Sequence, residues 1–428
     1  MMGVAVILVL GGAYRYRHHL PFQAFAERRQ TLTRDNVAQV ISDSATFYRF
    51  PSELDLPSEI TNLISLTGDQ RPAGEKIHAV VQYAFDSKLQ SDMEDLLRSY
   101  GPDYGAFVAI DASTGRILSM ISYSRDKAQQ QQNLALRSSF PSASVFKVVT
   151  AAAAIEGEKL SPESIVPFDG RNHTLYRSNI MKTNVTRWTR YVTMKEAFAK
   201  SINTVFGKMG AYTVGAAKLR DYAQRFGFNR KISSDMPVQE GHAPITDDPW
   251  ELAETASGYT RDNTMSPLQG ALIAAAIANN GVMMEPYVVD SIFTSNGVQV
   301  YAAERRVASL TVDAGTAEEI RQLMRETVAH GTSRKAFHGF FKKDLAGLDV
   351  GGKTGSLTGM DPPGKYDWFV GYGSDGQRKI AMAALTIHQK LWRVKSSYLA
   401  RRAMETYFHE HPQEHPQEHP KTKEVAKN

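Results

Sequence analysis

No cysteine occurs anywhere in the 428 residues. That absence excludes disulfides, thiolate metal sites and a thiol nucleophile, and it suits an oxidising compartment without requiring one. An excess of one charge is also missing, because 50 basic and 45 acidic residues are well mixed and leave a net charge of +5. With no interleaved aromatic-basic motif either, nothing points to a nucleic-acid partner. Long apolar runs are scarce. The one candidate, MMGVAVILVLGGAY at residues 1–14, is short for a membrane span but suits a signal segment or the remainder of an anchor. No Lys or Arg precedes it and RYRHH follows, a polarity opposite to that of an exported protein, which a start further upstream would remove. Cleavage near Gly11-Gly12-Ala13 and a buried N-terminal strand are the plainer alternatives.

What is present is a globular composition: 42% hydrophobic residues, enough for one large core or two smaller ones. The exception is the end from His409, HEHPQEHPQEHPKTKEVAKN, which repeats EHP at a four-residue period with nothing to bury and reads as a disordered tail. Its His409, His411, His415 and His419 are weak candidates for loose metal binding, and a solvated tail is the simpler reading. No metal site and no cofactor is expected. The organisation read from these signals is a leader or anchor remnant at 1–14, a small membrane-proximal segment at 15–75, a main domain at 76–408 and the tail at 409–428.

Within GLDVGGKTGS, residues 347–356, Gly347, Gly352, Lys353 and Thr354 satisfy the phosphate-loop pattern G-x-x-x-x-G-K-[ST]. Such a loop must run from a strand through a glycine turn into a helix. Here Gly359, Pro362, Pro363 and Gly364 prevent the helix and WFVGY returns as a strand, so strand, turn, strand is expected. A Lys-Thr-Gly on a strand edge serves another purpose: ammonium, hydroxyl and bare backbone together hold a carboxylate or an amide.

Along the chain, residues 77–100 read as helical and AFVAIDASTGRILSMIS as two strands joined at Ala112 to Gly115. An Ala-rich helix follows Ser144 and is expected to end at Gly157. Thr193 and Glu196 have capping-box spacing, Ser266-Pro267 opens a further helix, and Thr316 with Glu319 another. WFVGYG and KIAMAALTI read as strands, with a closing helix from about Ser396 to Tyr407. Helices in the middle and strands at both ends predict an α+β fold: an antiparallel sheet built from both ends of the domain and packed against a helical subdomain.

Ser144 and Lys147 lie one helical turn apart and share a face. Serine is inert at neutral pH and needs a base, a task for a lysine that burial or a second cation has deprived of its proton. Alone, S-x-x-K is common by chance, and a capping serine beside a surface lysine explains it as well. The order Ser144-x-x-Lys147, Ser201-x-Asn203, Lys353-Thr354-Gly355 is far rarer, and such a trio is an established signature of penicillin-binding proteins and class A β-lactamases. Over about residues 80–405 the chain resembles the penicillin-binding protein transpeptidase domain, with AIDASTGRILSM, NLALRSSFPSASVFK, TMSPLQGALIAAAIANNG, MRETVAHGT and DWFVGY as further landmarks.

The resemblance implies that Ser144 attacks the carbonyl, Lys147 takes its proton, and Ser201 relays a proton to the leaving amine. It further implies that Asn203 holds the substrate amide, Lys353 and Thr354 grip the terminal carboxylate, and the oxyanion sits between the N–H groups of Ser144 and Ser356. Taken singly, each position has a structural explanation: a turn for Ser201 and Asn203, a strand-edge charge for Lys353. Two departures stand out: Ser142 where relatives carry Gly, with a possible effect on the elbow before Ser144, and Ser356 where Thr is common. The segment before residue 80 is too small for a glycosyltransferase domain, which implies a monofunctional chain.

Implied substrates are peptidoglycan stem peptides ending in D-Ala-D-Ala and β-lactam antibiotics; implied associations are the membrane, through the N-terminal segment, and a separate glycosyltransferase. D,D-carboxypeptidase, β-lactamase and a β-lactam sensor without turnover are the alternatives. Ser201 stands where class C lactamases have Tyr, SIN differs from the class D S-x-V, and ELAETASGYT offers Glu251 and Glu254 outside the class A ExxLN setting, so a transpeptidase on the exported side of the cell membrane is expected.

Overall fold

The computed structural model describes residues 32–410, apart from 47–48, 58–59, 62–76, 127–131, 183 and 343–344. The leader or anchor reading of 1–14 and the tail from His411, with His415 and His419, lie outside these residues. His409 belongs to the closing helix, which runs Ser396–Glu410. No helix among the described residues is long and apolar enough to cross a membrane.

The centre is a five-stranded antiparallel sheet. Its strands are β1 (Tyr104–Asp111), β2 (Ile117–Ser124), β3 (Asp349–Met360), β4 (Pro363–Ser374) and β5 (Lys379–His388), in the order β3-β4-β5-β1-β2. Strands from both ends of the domain thus share one sheet, joined where Ile380 to Ile387 of β5 pair with Asp111 to Tyr104 of β1. β1 is buried along almost its whole length because both faces are covered. Ala106, Val108 and Ile110 share a cluster with α2 (Pro267–Ala278), whereas Phe107 and Ala109 join one with residues of α1 (Ser87–Tyr100) and α4 (Ser396–Glu410). α2 is apolar all round and every residue in it is buried, as its sequence LQGALIAAAIA requires. α3 (Ala314–Ala329) packs along β3.

The run GLDVGGKTGS follows this sheet and is no phosphate loop. Val350 to Ser356 pair in unbroken antiparallel register with Gly373 to Asp367 of β4. The Gly352 of the pattern is demanded by packing: a Cβ there would lie 2.3 Å from the Phe369 ring.

Four local readings are corrected. Residues 77–100 are not one helix: His78–Tyr83 is a strand in a small sheet with Glu53–Asp55, Val289–Thr294 and Gln299–Ala302. Its alternating burial and its pairing of Val80 with Phe293 outweigh the helical pattern, and Asp86, accepting from Leu89 N at 2.9 Å, starts the helix only at Ser87. α3 begins before Thr316, whose N–H is capped by Asp313 Oδ1 at 2.6 Å. Gly157 is no left-handed cap; it closes a π turn, Ala153–Gly157, and Lys159 takes the positive φ of 60°. The proposed capping box is half made: Thr193 Oγ1 accepts from Glu196 N, but the Glu196 carboxylate turns to Lys200.

Candidate active site

Ser144 owes its position to an elbow. Phe140–Pro141 pairs with Thr264–Met265, Ser142 N donates to Asn263 O at 2.7 Å, and the buried Trp368 indole of β4 donates to Pro141 O at 2.9 Å. The chain then turns through Ala143 at φ 48°, a left-handed conformation that L-residues rarely hold. Gly258 makes this possible by close approach, since a Cβ there would sit 1.9 Å from Ala143 O. A 3₁₀ turn, Ala143–Phe146, leads into the helix Lys147–Ala152. Ser142 is in ordinary helical geometry, φ −64° and ψ −19°, so a serine there leaves the elbow intact. The strained residue is its neighbour.

Ser144 is half-buried amid otherwise buried residues and faces Lys147 one turn on. Lys147 Nζ donates to Ser144 Oγ at 2.8 Å, to Asn203 Oδ1 at 2.8 Å and to Ser257 O at 2.5 Å. All three acceptors are neutral. Burial, reinforced by the positive charge of Lys353, pushes the Lys147 ammonium well below its usual range.

Asn203 opens the helix Asn203–Lys208 two residues after Ser201, which sits at φ 54°. Its N–H donates to Asn172 O at 2.8 Å and its Nδ2 to His173 O at 3.0 Å, so both ends of the amide are engaged. Ser201 Oγ accepts from Lys353 Nζ at 2.9 Å; the same ammonium reaches Thr354 O at 2.9 Å. Lys353 is fully buried beneath the Phe198 ring, 5.5 Å away, and burial lowers its pKa to about 7. Thr354 Oγ1 lies 2.5 Å from Thr332 Oγ1, and Thr332 N donates to Ala199 O, so the end of α3 ties the Ser201 turn to β3. A Cβ on Gly355 would lie 3.3 Å from Ser144 N, which puts β3 alongside the elbow; Ser356 follows, exposed.

The structure therefore brings Ser144, Lys147, Ser201, Asn203, Lys353, Thr354 and Gly355 to one cleft, with Ser356 next along the same strand. Sequence reading missed Ser257, whose backbone oxygen carries no residue-type signal. It also missed Thr332, which lies within the landmark MRETVAHGT, and Gly258, a glycine that ends the helix Pro249–Ser257. The arrangement offers an activated hydroxyl, a second hydroxyl bound to a cation, and a cation on a strand edge.

Known proteins share this arrangement of sequence and fold. The peptidoglycan D,D-transpeptidase PbpA of Mycobacterium tuberculosis is 30% identical over 324 residues, which cover 67% of this chain and 62% of that protein. The chain thus spans about three-fifths of the length of PbpA. Among solved structures, the D,D-transpeptidase domain of a peptidoglycan glycosyltransferase from Eggerthella lenta superimposes with a TM-score of 0.64 at 27% identity, covering 77% of this chain and 82% of that one. The penicillin G acyl-enzyme complex of penicillin-binding protein A from M. tuberculosis gives a TM-score of 0.62 at 26% identity, covering 82% and 86%. The profile of the penicillin binding protein transpeptidase domain matches residues 105–406, and with most of its length inside that match the chain belongs to this family.

Proposed function

We propose that this chain is a serine-type peptidoglycan D,D-transpeptidase, acylated on Ser144 by the D-Ala-D-Ala end of a stem peptide and by β-lactams. The observation that carries this reading is the 2.8 Å contact between Ser144 Oγ and Lys147 Nζ, a buried amine surrounded by neutral acceptors. Lys147 removes the Ser144 proton as Oγ bonds to the carbonyl carbon of the penultimate D-alanine. The N–H groups of Ser144 and Ser356 hold the resulting oxyanion, a role supported by the approach of β3 to Ser144 N. As the tetrahedral species collapses, the peptide C–N bond breaks and Ser201 relays a proton to the departing D-alanine amine, taking in its place the one that Lys147 removed from Ser144, so that both groups end in their starting state. The amine of a second stem peptide then attacks the ester and returns Ser144 to its starting state.

Lys353 and Thr354 grip the terminal carboxylate, as a charge-assisted pair at a strand edge is suited to do. Asn203 meets the substrate amide only by yielding one of its present partners, and in the free protein it positions Lys147. The penicillin G acyl-enzyme of the similar M. tuberculosis protein supports β-lactams as ligands. Export of the catalytic domain, tethering by the N-terminal segment, a separate glycosyltransferase and the division at residues 76–408 belong to the same reading. Intact-mass measurement after exposure to penicillin tests it, together with D-alanine release and dimer formation from stem peptides. A single adduct and cross-linked product are expected; D-alanine release without any dimer assigns the chain to the carboxypeptidases.

A further inference from the structure

Between Asp169 and Glu196 the chain carries six cations, Arg171, Arg177, Lys182, Arg187, Arg190 and Lys195, and no carboxylate. Only Lys195 among these forms an ion pair within the described residues, with Glu163. Residues 165–168 and 190–193 pair as a two-stranded ribbon in which Pro167 opposes Tyr191 and Ile165 opposes Thr193. Alternation sends Phe168 inward and leaves Ile165, Pro167 and Tyr191 on the outer face. At the adjoining turn Trp188 is 72% exposed, with the Arg187 guanidinium 4.8 Å above its ring. Exposed aromatic groups beside unpaired cations mark a surface built for contact.

The segment is fastened to the cleft. Asn172 O and His173 O accept both donors of Asn203, one bond from the backbone and one from the side chain. A polymer whose peptide entered the cleft past Asn203 would run beside this lobe. The flat apolar face of a pyranose ring stacks on indole and phenol, and the carboxylates of stem peptides answer the guanidinium groups.

We infer that Trp188, Tyr191 and Arg187 hold a glycan strand of un-cross-linked peptidoglycan while one of its stem peptides occupies the neighbouring cleft. The inference rests on the transpeptidase reading and adds to it a site for the sugar polymer. The excess of cations around the aromatic pair selects an anionic strand over a neutral one.

The test is co-sedimentation of the full chain with un-cross-linked peptidoglycan strands that carry stem peptides, with penicillin acylation measured in parallel. Trp188→Ala and Arg187→Glu should each weaken strand binding by about tenfold, the loss typical of a contact residue at the centre of a patch. Both should be acylated by penicillin at the wild-type rate, which reports an intact fold and cleft. Trp188→Phe should keep most of the binding. Strands with amidated carboxylates should bind the wild type more weakly and lose little more with Arg187→Glu. Unchanged strand binding in both variants, or a loss confined to phosphatidylglycerol vesicles, overturns the inference. Failure of the wild type to be acylated would overturn the transpeptidase reading instead, and sedimentation, which needs no turnover, distinguishes the two.

Discussion

Lys147 and Lys353 are both fully buried, each holds the hydroxyl of a serine, and neither meets a carboxylate among the described residues. Two ammonium groups in such a place are costly as cations, and the positive charge of Lys353 adds to the burial that depresses Lys147. The pair separates two tasks: an amine that burial and a neighbouring charge strip of its proton suits a base, and one poised near neutrality suits a clamp for an anion.

The pH dependence should divide along the same line. Lys353, at about 7, must carry its proton to hold a carboxylate, so kcat/KM for stem peptides should fall as pH rises above about 7, approaching tenfold per unit. Lys147 must be free of its proton, a form that burial and the charge of Lys353 favour. His173, at the rim, is held below its usual pKa by burial and by Lys147 and Lys353, and stays neutral on the alkaline side. A donor with its terminal carboxylate amidated should lose the alkaline limb, and Lys353→Ala should abolish the preference for the free acid. An identical alkaline limb for acid and amide would place the clamp elsewhere.

Stability should respond too. From about pH 7 to 10.5 the unfolded chain keeps a proton on Lys353 that the folded protein has released, so this site makes the fold more stable as pH climbs through that window. Lys353→Met should flatten this slope and raise the midpoint of urea unfolding most below pH 7. A slope unchanged by the substitution would show that Lys353 stays charged in the fold.

Ser144→Ala should leave a folded protein that forms no penicillin adduct, and Lys147→Ala should slow acylation by at least about a thousandfold. Peptide mapping locates the site. An adduct on Ser201 would reverse the assignment of nucleophile.

Gly258→Ala tests the elbow. A Cβ at φ 66° and 1.9 Å from Ala143 O forces apart the backbone that aims Ser144. A loss of about 2 to 4 kcal/mol in stability is expected, with acylation slowed more than tenfold, as thermal unfolding and a penicillin time course will show.

The penicilloyl ester on Ser144 should persist for minutes or longer. Among the described residues no carboxylate hydrogen-bonds Ser144 or Lys147, and the tethered drug remnant occupies the path of an incoming amine or water. After removal of free penicillin, intact mass should stay at the adduct value; return within seconds with repeated drug turnover would indicate a β-lactamase.

The side chains that meet around Ser144 were legible because residue type at short spacing marks them. S-x-x-K, S-x-N and K-T-G name seven of the groups that meet in the cleft. The sheet was legible too, because the flanking strands are long, apolar and β-branched. What escaped depends on distant partners. His78–Tyr83 becomes a strand only because Val289–Thr294 comes to lie beside it, about two hundred residues later. Ser257 contributes a carbonyl, which every residue possesses, and Ala143 is strained only because Gly258 lets its backbone draw near. The glycines of GLDVGGKTGS are ambiguous by themselves, since close packing on Phe369 and phosphate binding ask for the same residue, and only the helix-breaking Gly359, Pro362, Pro363 and Gly364 that follow decide for a strand.

The pairing of β1 with β5 governs how this protein comes into being. The β1–β2 hairpin emerges early in synthesis, but its neighbour on the other side, Lys379–His388, arrives more than 250 residues afterwards. Loop closure over such a span is slow, and until it occurs the apolar faces of both hairpins are open to aggregation. Ser144 and Lys147 are made in the first half of the chain, yet Lys353 reaches them only when the last strands dock. A nascent polypeptide that has not yet docked β5 therefore holds no assembled cleft, and the meeting of Ser144 with Lys353 waits on the late strands.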